Sequence, residues 1–194
     1  MKAAYHCAKE GIELETVFIH GGIFIDNARS LLVKRFLKTD CTHLFFIDAD
    51  LGFESDALAG LILADNPISV GVYPKRDMDK TMFNCTVHEP QEYRDGWLRL
   101  DRAATGFMCI RRDVLVEMSK DAWKCDLGQG GITPMVFYTQ HGNTFVGEDY
   151  SFCADYDAHF MGVFKEPIWA FTDITFDHDG HLGNLHETLL ANND

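Results

Sequence analysis

Basic residues are the scarce charged class in this chain: 17 lysines and arginines stand against 30 aspartates and glutamates, giving a formal net charge of −13. A phosphate backbone is gripped by a basic face, so the imbalance argues against a broad nucleic-acid footprint. No apolar run approaches the roughly 18 residues of a membrane-spanning helix, and there is no transmembrane segment, signal-peptide pattern, low-complexity tail or internal repeat in the sequence. The six cysteines (Cys7, Cys41, Cys85, Cys109, Cys125, Cys153) contain no C-x-x-C. That spacing argues against a zinc site or a disulfide frame and predicts reduced, packing thiols in a cytoplasmic protein. What the chain does have is core material: 46% of its 194 residues are hydrophobic and 12% aromatic, enough for one compact domain over 1–194.

Hydrophobic patterning alternates through the first third. Met1 to Glu10 reads as a helix stopped by Gly11, Leu14 to Ile19 as a strand, and Asn27 to Thr39 as an amphipathic helix. Then follow a strand over Thr42 to Asp48, a helix over Ser55 to Ala64 capped by Ser55 and Asp56, and a strand over Ile68 to Val72 closed by Tyr73-Pro74. Strand and helix in turn predict an α/β fold with a parallel sheet and crossover helices. After Pro74 short extended pieces take over, at Phe83 to His88, Trp97 to Leu100 and Gly106 to Ile110. Arg112 to Lys120 reads as a helix, Gly128-Gln129-Gly130-Gly131 as a loop, Val136 to Gln140 as a strand, Glu148 to Phe160 as a helix and Trp169 to Phe176 as a last extended run. Because the chain opens on a helix, the strand that normally starts such a sheet is expected to be missing, either from the fold or because the sequence begins late.

The most informative stretch is Leu44-Phe45-Phe46-Ile47-Asp48-Ala49-Asp50, a buried strand that delivers two acids to its C-terminal end. In open α/β sheets ligands collect there, and side chains two apart on an extended chain point the same way. Two close carboxylates repel unless a cation sits between them, and hard oxygen ligands suit Mg²⁺ or Mn²⁺. Such pairs also serve as helix caps, but Ser55 and Asp56 are better placed for that task here.

Four motifs in order carry a resemblance. Asp48-Ala49-Asp50 with Leu51-Gly52-Phe53, Val70-Gly71-Val72-Tyr73-Pro74-Lys75, Thr105-Gly106-Phe107-Met108-Cys109-Ile110-Arg111-Arg112, and Gly147-Glu148-Asp149-Tyr150-Ser151-Phe152-Cys153 together resemble the GT-A-fold glycosyltransferases, in particular small enzymes of bacteria and large DNA viruses. The resemblance implies a Rossmann-like sheet with helices on both faces, residues 1–74 binding nucleotide and metal and 75–194 the acceptor. It implies sugar transfer from a nucleotide-sugar donor with Mn²⁺ or Mg²⁺ as cofactor. Asp50 becomes a direct metal ligand, Asp48 contacts the ribose or the metal through water, and His178, with His181 in reserve, supplies a third ligand. Asp149, or Glu148 beside it, becomes the base of an inverting enzyme, although acids in a first helical turn are favoured by the dipole whatever their function. Arg29 reaches a donor phosphate or braces Asp48, Lys75 and Arg76 contact phosphate, Thr105-Gly106-Phe107 lines the acceptor side, and Trp97 and Tyr93 are aromatic platforms or core.

The acceptor implied is a glycan, a lipid-linked glycan or another hydroxyl compound, with a modified DNA base disfavoured by the acidity. The pattern also admits a haloacid-dehalogenase-type phosphohydrolase, which shares an apolar strand ending in Asp-x-Asp but wants Thr or Val where this chain has Gly52. A non-catalytic nucleotide- or sugar-binding remnant of a transferase is the third reading. Donor sugar, stereochemistry and oligomeric state are not encoded in these motifs.

Overall fold

The computed structural model describes residues 2–19, 24–75, 82–128, 131–141 and 143–191. In chain order its elements are α1 (Lys2–Lys9), α2 (Ile25–Phe36), β1 (His43–Ile47), β2 (Leu51–Phe53), α3 (Ala57–Leu63), β3 (Ile68–Gly71), β4 (Cys85–Val87), β5 (Tyr93–Arg94), β6 (Trp97–Ala103) and β7 (Phe107–Arg111). There follow α4 (Arg112–Asp121), β8 (Lys124–Asp126), β9 (Ile132–Pro134), β10 (Gln140–His141), β11 (Thr144–Phe145), α5 (Glu148–Asp155), a π-helical turn (Tyr156–Phe160), α6 (Met161–Phe164), β12 (Ile168–Phe171), β13 (Thr175–His178), β14 (His181–Asn184) and α7 (Leu185–Ala191). The fold is mixed α/β, and no described helix is long and apolar enough to cross a membrane.

The main sheet runs β1-β7-β3-β12-β6-β4, with β5 added to β6. It is not the parallel sheet that the alternation predicts. β1 and β3 do point the same way, but β7 lies between them antiparallel to both, pairing Leu44 with Ile110 and Ile68 with Ile110 on its two edges. Of the sheet's pairings, β3 with β12 is parallel and the others are antiparallel. β7 is buried from Phe107 to Ile110 because both faces are covered. Met108 and Ile110 face a core shared with Val33 and Phe36 of α2, Leu115 of α4 and Phe152 of α5. Phe107 and Cys109 face a second core with Ala57 and Leu61 of α3 and Phe176 of β13. Helices on both faces are therefore as expected.

Three expected elements differ. Leu14 to Ile19 form no strand: Leu14, Val17 and Phe18 are exposed, so the segment has no buried face to fix a register. β1 is accordingly the terminal strand of the sheet. Val136 to Phe137 is buried but irregular, because the Ser30 hydroxyl both donates to the Phe137 carbonyl and accepts from its N–H, each at 3.1 Å, in place of a neighbouring strand. Strand geometry returns at Gln140. The Trp169 to Phe176 run splits into β12 and β13, and β13 leaves the main sheet to pair with β14 and β2. The predicted helix over 148–160 is continuous but widens into a π turn at Tyr156. Asp56 precedes α3 without a side-chain cap, the Ala57 N–H bonding instead to the Glu54 carbonyl at 3.1 Å. All six cysteines are free thiols.

Candidate active site

The second acid and the distal histidine meet through strand register. β1 ends with the Asp48 N–H donating to the Gly106 carbonyl at 2.8 Å, and the Leu51 N–H returns to the Asp48 carbonyl at 3.3 Å to close a turn into β2. β2 pairs with β13 so that Leu51 lies opposite His178, which sets Asp50, one residue earlier, beside the imidazole. Asp48, Asp50, Tyr73, Lys75, Asn84 and His178 line an open cleft of ≈ 370 Å³.

His178 is buried, and its Nδ1 lies 2.7 Å from the Pro74 carbonyl. A carbonyl oxygen only accepts, so Nδ1 carries a proton and donates to it, which leaves Nε2 as the nitrogen on the Asp50 side. Nε2 lies 3.8 Å from Asp50 Oδ2. Two ligands held ~2.1 Å from one hard cation are ~3.0 Å apart at right angles and ~4.2 Å apart when opposite, so this pair spans a metal-sized gap. Locking the distal ring nitrogen to a backbone carbonyl is also how metal-binding histidines are oriented. The three-residue cation set expected from sequence is not assembled, however: among the described residues no group of three or more His, Cys, Asp or Glu is arranged to hold a metal. The Asp48 carboxylate is turned toward Arg29. His181 lies opposite His178 in the β13–β14 hairpin and is not among the residues lining the cleft.

Arg29 projects from α2 into the interior, its side chain 8% exposed, with Nη2 3.5 Å from Asp48 Oδ1. Its Nη1 donates to Glu148 Oε1 at the start of α5. Of the two roles expected for Arg29, bracing Asp48 is the one its geometry serves. Burial pushes the Glu148 carboxyl upward while Arg29 pulls it down, so Glu148 is the partner of a buried guanidinium. Asp149 is raised chiefly by burial, against the pull of the Tyr150 N–H, which donates to its Oδ1 at 2.7 Å, and of Arg29.

Tyr73, which the sequence offers as a strand stop within the Val70 to Lys75 motif, also lines the cleft. Burial first, and the nearby Asp48 charge next, hold its phenol far above the usual range, so it stays protonated. Its ring meets His178 edge-on at 5.1 Å. Gly106 makes this possible: a Cβ there would come within 2.3 Å of the Tyr73 hydroxyl and 2.5 Å of Asp48 Oδ2. The Tyr-Pro-Lys order was a usable signal for Tyr73, whereas nothing in the sequence marks Asn84. Lys75 lines the cleft, and it opposes the burial that lifts the Cys85 thiol to about 11. Arg76 and the Gln129-Gly130 pair of the glycine loop lie outside the described residues. Trp97 packs against Phe171 at 5.2 Å and belongs to the core, and half-exposed Tyr93 is not among the residues lining the cleft.

No protein-family model and no curated protein matches the chain. Among solved structures it is similar to A197 from STIV, with 16% identity and a TM-score of 0.53 over 91% of this chain and 78% of that one. At this identity the likeness concerns the fold, and it agrees with the α/β architecture.

Proposed function

We propose that the chain is a metal-dependent glycosyltransferase of the GT-A fold, moving a sugar from a nucleotide-sugar donor to an acceptor hydroxyl with inversion. The observation that carries the reading is the placement of His178 Nε2 3.8 Å from Asp50 Oδ2, a gap of cation size, with Nδ1 held at the Pro74 carbonyl. An imidazole, carboxylate oxygens and the Asn84 amide form a donor set suited to Mn²⁺ or Mg²⁺. A cation held by these residues would supply positive charge against the negative charge that builds on a departing nucleoside diphosphate. Lys75 adds a charge-assisted contact to phosphate oxygens, and the protonated Tyr73 hydroxyl adds a neutral donor. In the transfer, the acceptor oxygen bonds the anomeric carbon as the bond to the diphosphate oxygen breaks. Asp149 receives the acceptor proton, and its raised pKa makes it the stronger base. Arg29 holds Asp48 and Glu148 in place.

The test is donor turnover by the purified chain with a panel of nucleotide sugars, with and without Mn²⁺. Release of nucleoside diphosphate that requires Mn²⁺ and vanishes in Asp50→Ala is the expected result. Phosphate release from simple esters would replace this reading with a phosphohydrolase. Nucleotide-sugar binding detected by thermal shift, with no turnover, would replace it with a binding module.

A further inference from the structure

A second cleft, larger than the first at ≈ 640 Å³, opens at the far end of α5, between the end of α4, the irregular 135–139 segment and the π turn. Glu148 and Asp149 begin α5 and Asp155 ends it, so about 9 Å of helix separates the two positions at 1.5 Å per residue. Its floor is apolar, from Met118, Met135, Val136 and Phe160. Its walls carry Trp123, Tyr138 and the polar groups of Asp121, Gln140, Asp155 and His159. Trp123 is 54% exposed although indole is usually packed away. It follows directly on α4, where Ala122 turns extended, and its carbonyl accepts the Met135 N–H at 2.9 Å, which fixes the backbone from which the ring projects.

The chemistry of the lining narrows the ligand. No lysine or arginine among the described residues lines the cleft, while two aspartates do, so phosphates and carboxylates are repelled. The Tyr138 hydroxyl donates to Asp155 Oδ2 at 2.8 Å, which orients a carboxylate that can only accept. A fitting ligand therefore brings several hydroxyl donors together with an apolar face. The π turn at Tyr156–Phe160 carries His159 and Phe160 into the lining of this cleft, and such widened turns recur at functional sites. A pyranose has both required features: equatorial hydroxyls for the acceptors, and an axial C–H face that lies over the electron-rich face of an indole. The volume is within the usual range for small-ligand sites of about 300–1,000 Å³.

We infer that the Trp123 cleft is a carbohydrate-binding site, separate from the Asp50–His178 cleft, that takes a short neutral saccharide against the indole. Binding there does not depend on the transfer proposed above. The experiment is calorimetric titration of the full chain with maltotriose, cellotriose, mannotriose and chitotriose, and with tetramethylammonium chloride as a cationic probe. Saturable binding of at least one trisaccharide is expected. It weakens about tenfold or more in Trp123→Ala, the scale of losing a buried aromatic contact, is partly restored in Trp123→Phe, and is unchanged in Asp50→Ala. Trp123 is exposed enough for the alanine variant to keep its fold, which its melting temperature checks. The site is refuted by the absence of binding across the panel, by binding that Trp123→Ala leaves intact, or by a response to tetramethylammonium alone. Loss of donor turnover with intact trisaccharide binding would count against the transferase and not against this cleft.

Discussion

The two acids at the end of β1 are neighbours in sequence and opposites in environment. Asp48 looks inward to Arg29, a buried guanidinium shared with Glu148. Asp50 faces His178, whose Nε2 lies 3.8 Å from its Oδ2 and whose Nδ1 is tied to the Pro74 carbonyl. Their side chains are almost equally exposed, at 40% and 38%, so burial does not separate them. The nearest partner does: a carboxylate already beside a guanidinium gains less from a metal, so in the proposed site Asp48 would be an anchored scaffold and Asp50 the ligand.

The sharpest way to break the comparison is to remove the shared cation. Arg29→Ala leaves Glu148 buried without its partner and is expected to cost about 3–5 kcal/mol in urea unfolding; a cost below ~1 kcal/mol would mean that Arg29 anchors nothing. Next comes Gly106→Ala, whose methyl overlaps both the Tyr73 hydroxyl and Asp48. Its expected cost is about 1–3 kcal/mol of stability, with a crystal structure showing Asp48 or Tyr73 displaced. Mn²⁺ titration then separates the acids directly. Asp50→Asn and His178→Ala should each weaken binding by about tenfold or more, or ~1.4 kcal/mol, and Asp48→Asn by clearly less; equal losses would erase the distinction.

The smallest expected effect is on pH dependence. Asp149 and Glu148 have raised folded-state pKa values. Their contribution to stability is fully present below the unfolded carboxylate values and is lost as pH rises through the raised folded ones. Asp113, lowered first by its hydrogen bond with Arg111, works the other way: its contribution is present above the unfolded value and is lost as pH falls through the lowered folded one. Asp149→Asn should therefore melt higher than the parent at neutral pH, with the gap closing on acidification. A gap that widens in acid would contradict the direction of the Asp149 shift.

Legibility follows the range of the interaction that decides each feature. β1, β3, α4 and the Gly11 stop are set by local periodicity and backbone conformation, and all stand where the sequence places them. The insertion of β7 between β1 and β3 is a choice among distant partners that periodicity does not encode. At 136–140 the apolar run is real, but the hydrogen bonds of the Phe137 backbone go to Ser30, a hydroxyl 107 residues away. The site divides the same way. The acid pair ending in Asp50 is legible at a strand end and His178 is offered by the resemblance, whereas the Arg29–Glu148 pairing spans 119 residues and nothing local encodes it. Tyr73 stands inside a motif, but its place before a proline already explains it as a strand stop.

The antiparallel wedge in the middle of the sheet has a consequence in time as well as space. His43 and Ile68 find their ladder partners at Arg111 and Ile110, so neither strand can complete its pairing until that later segment arrives. Closing such long loops is slow, and strands waiting with bare edges are prone to associate with other chains. A nascent chain released before residue 111 would hold helices and two unmatched ribbons. β1 thus waits for one five-residue strand, and β3 waits further for β12 on its other edge.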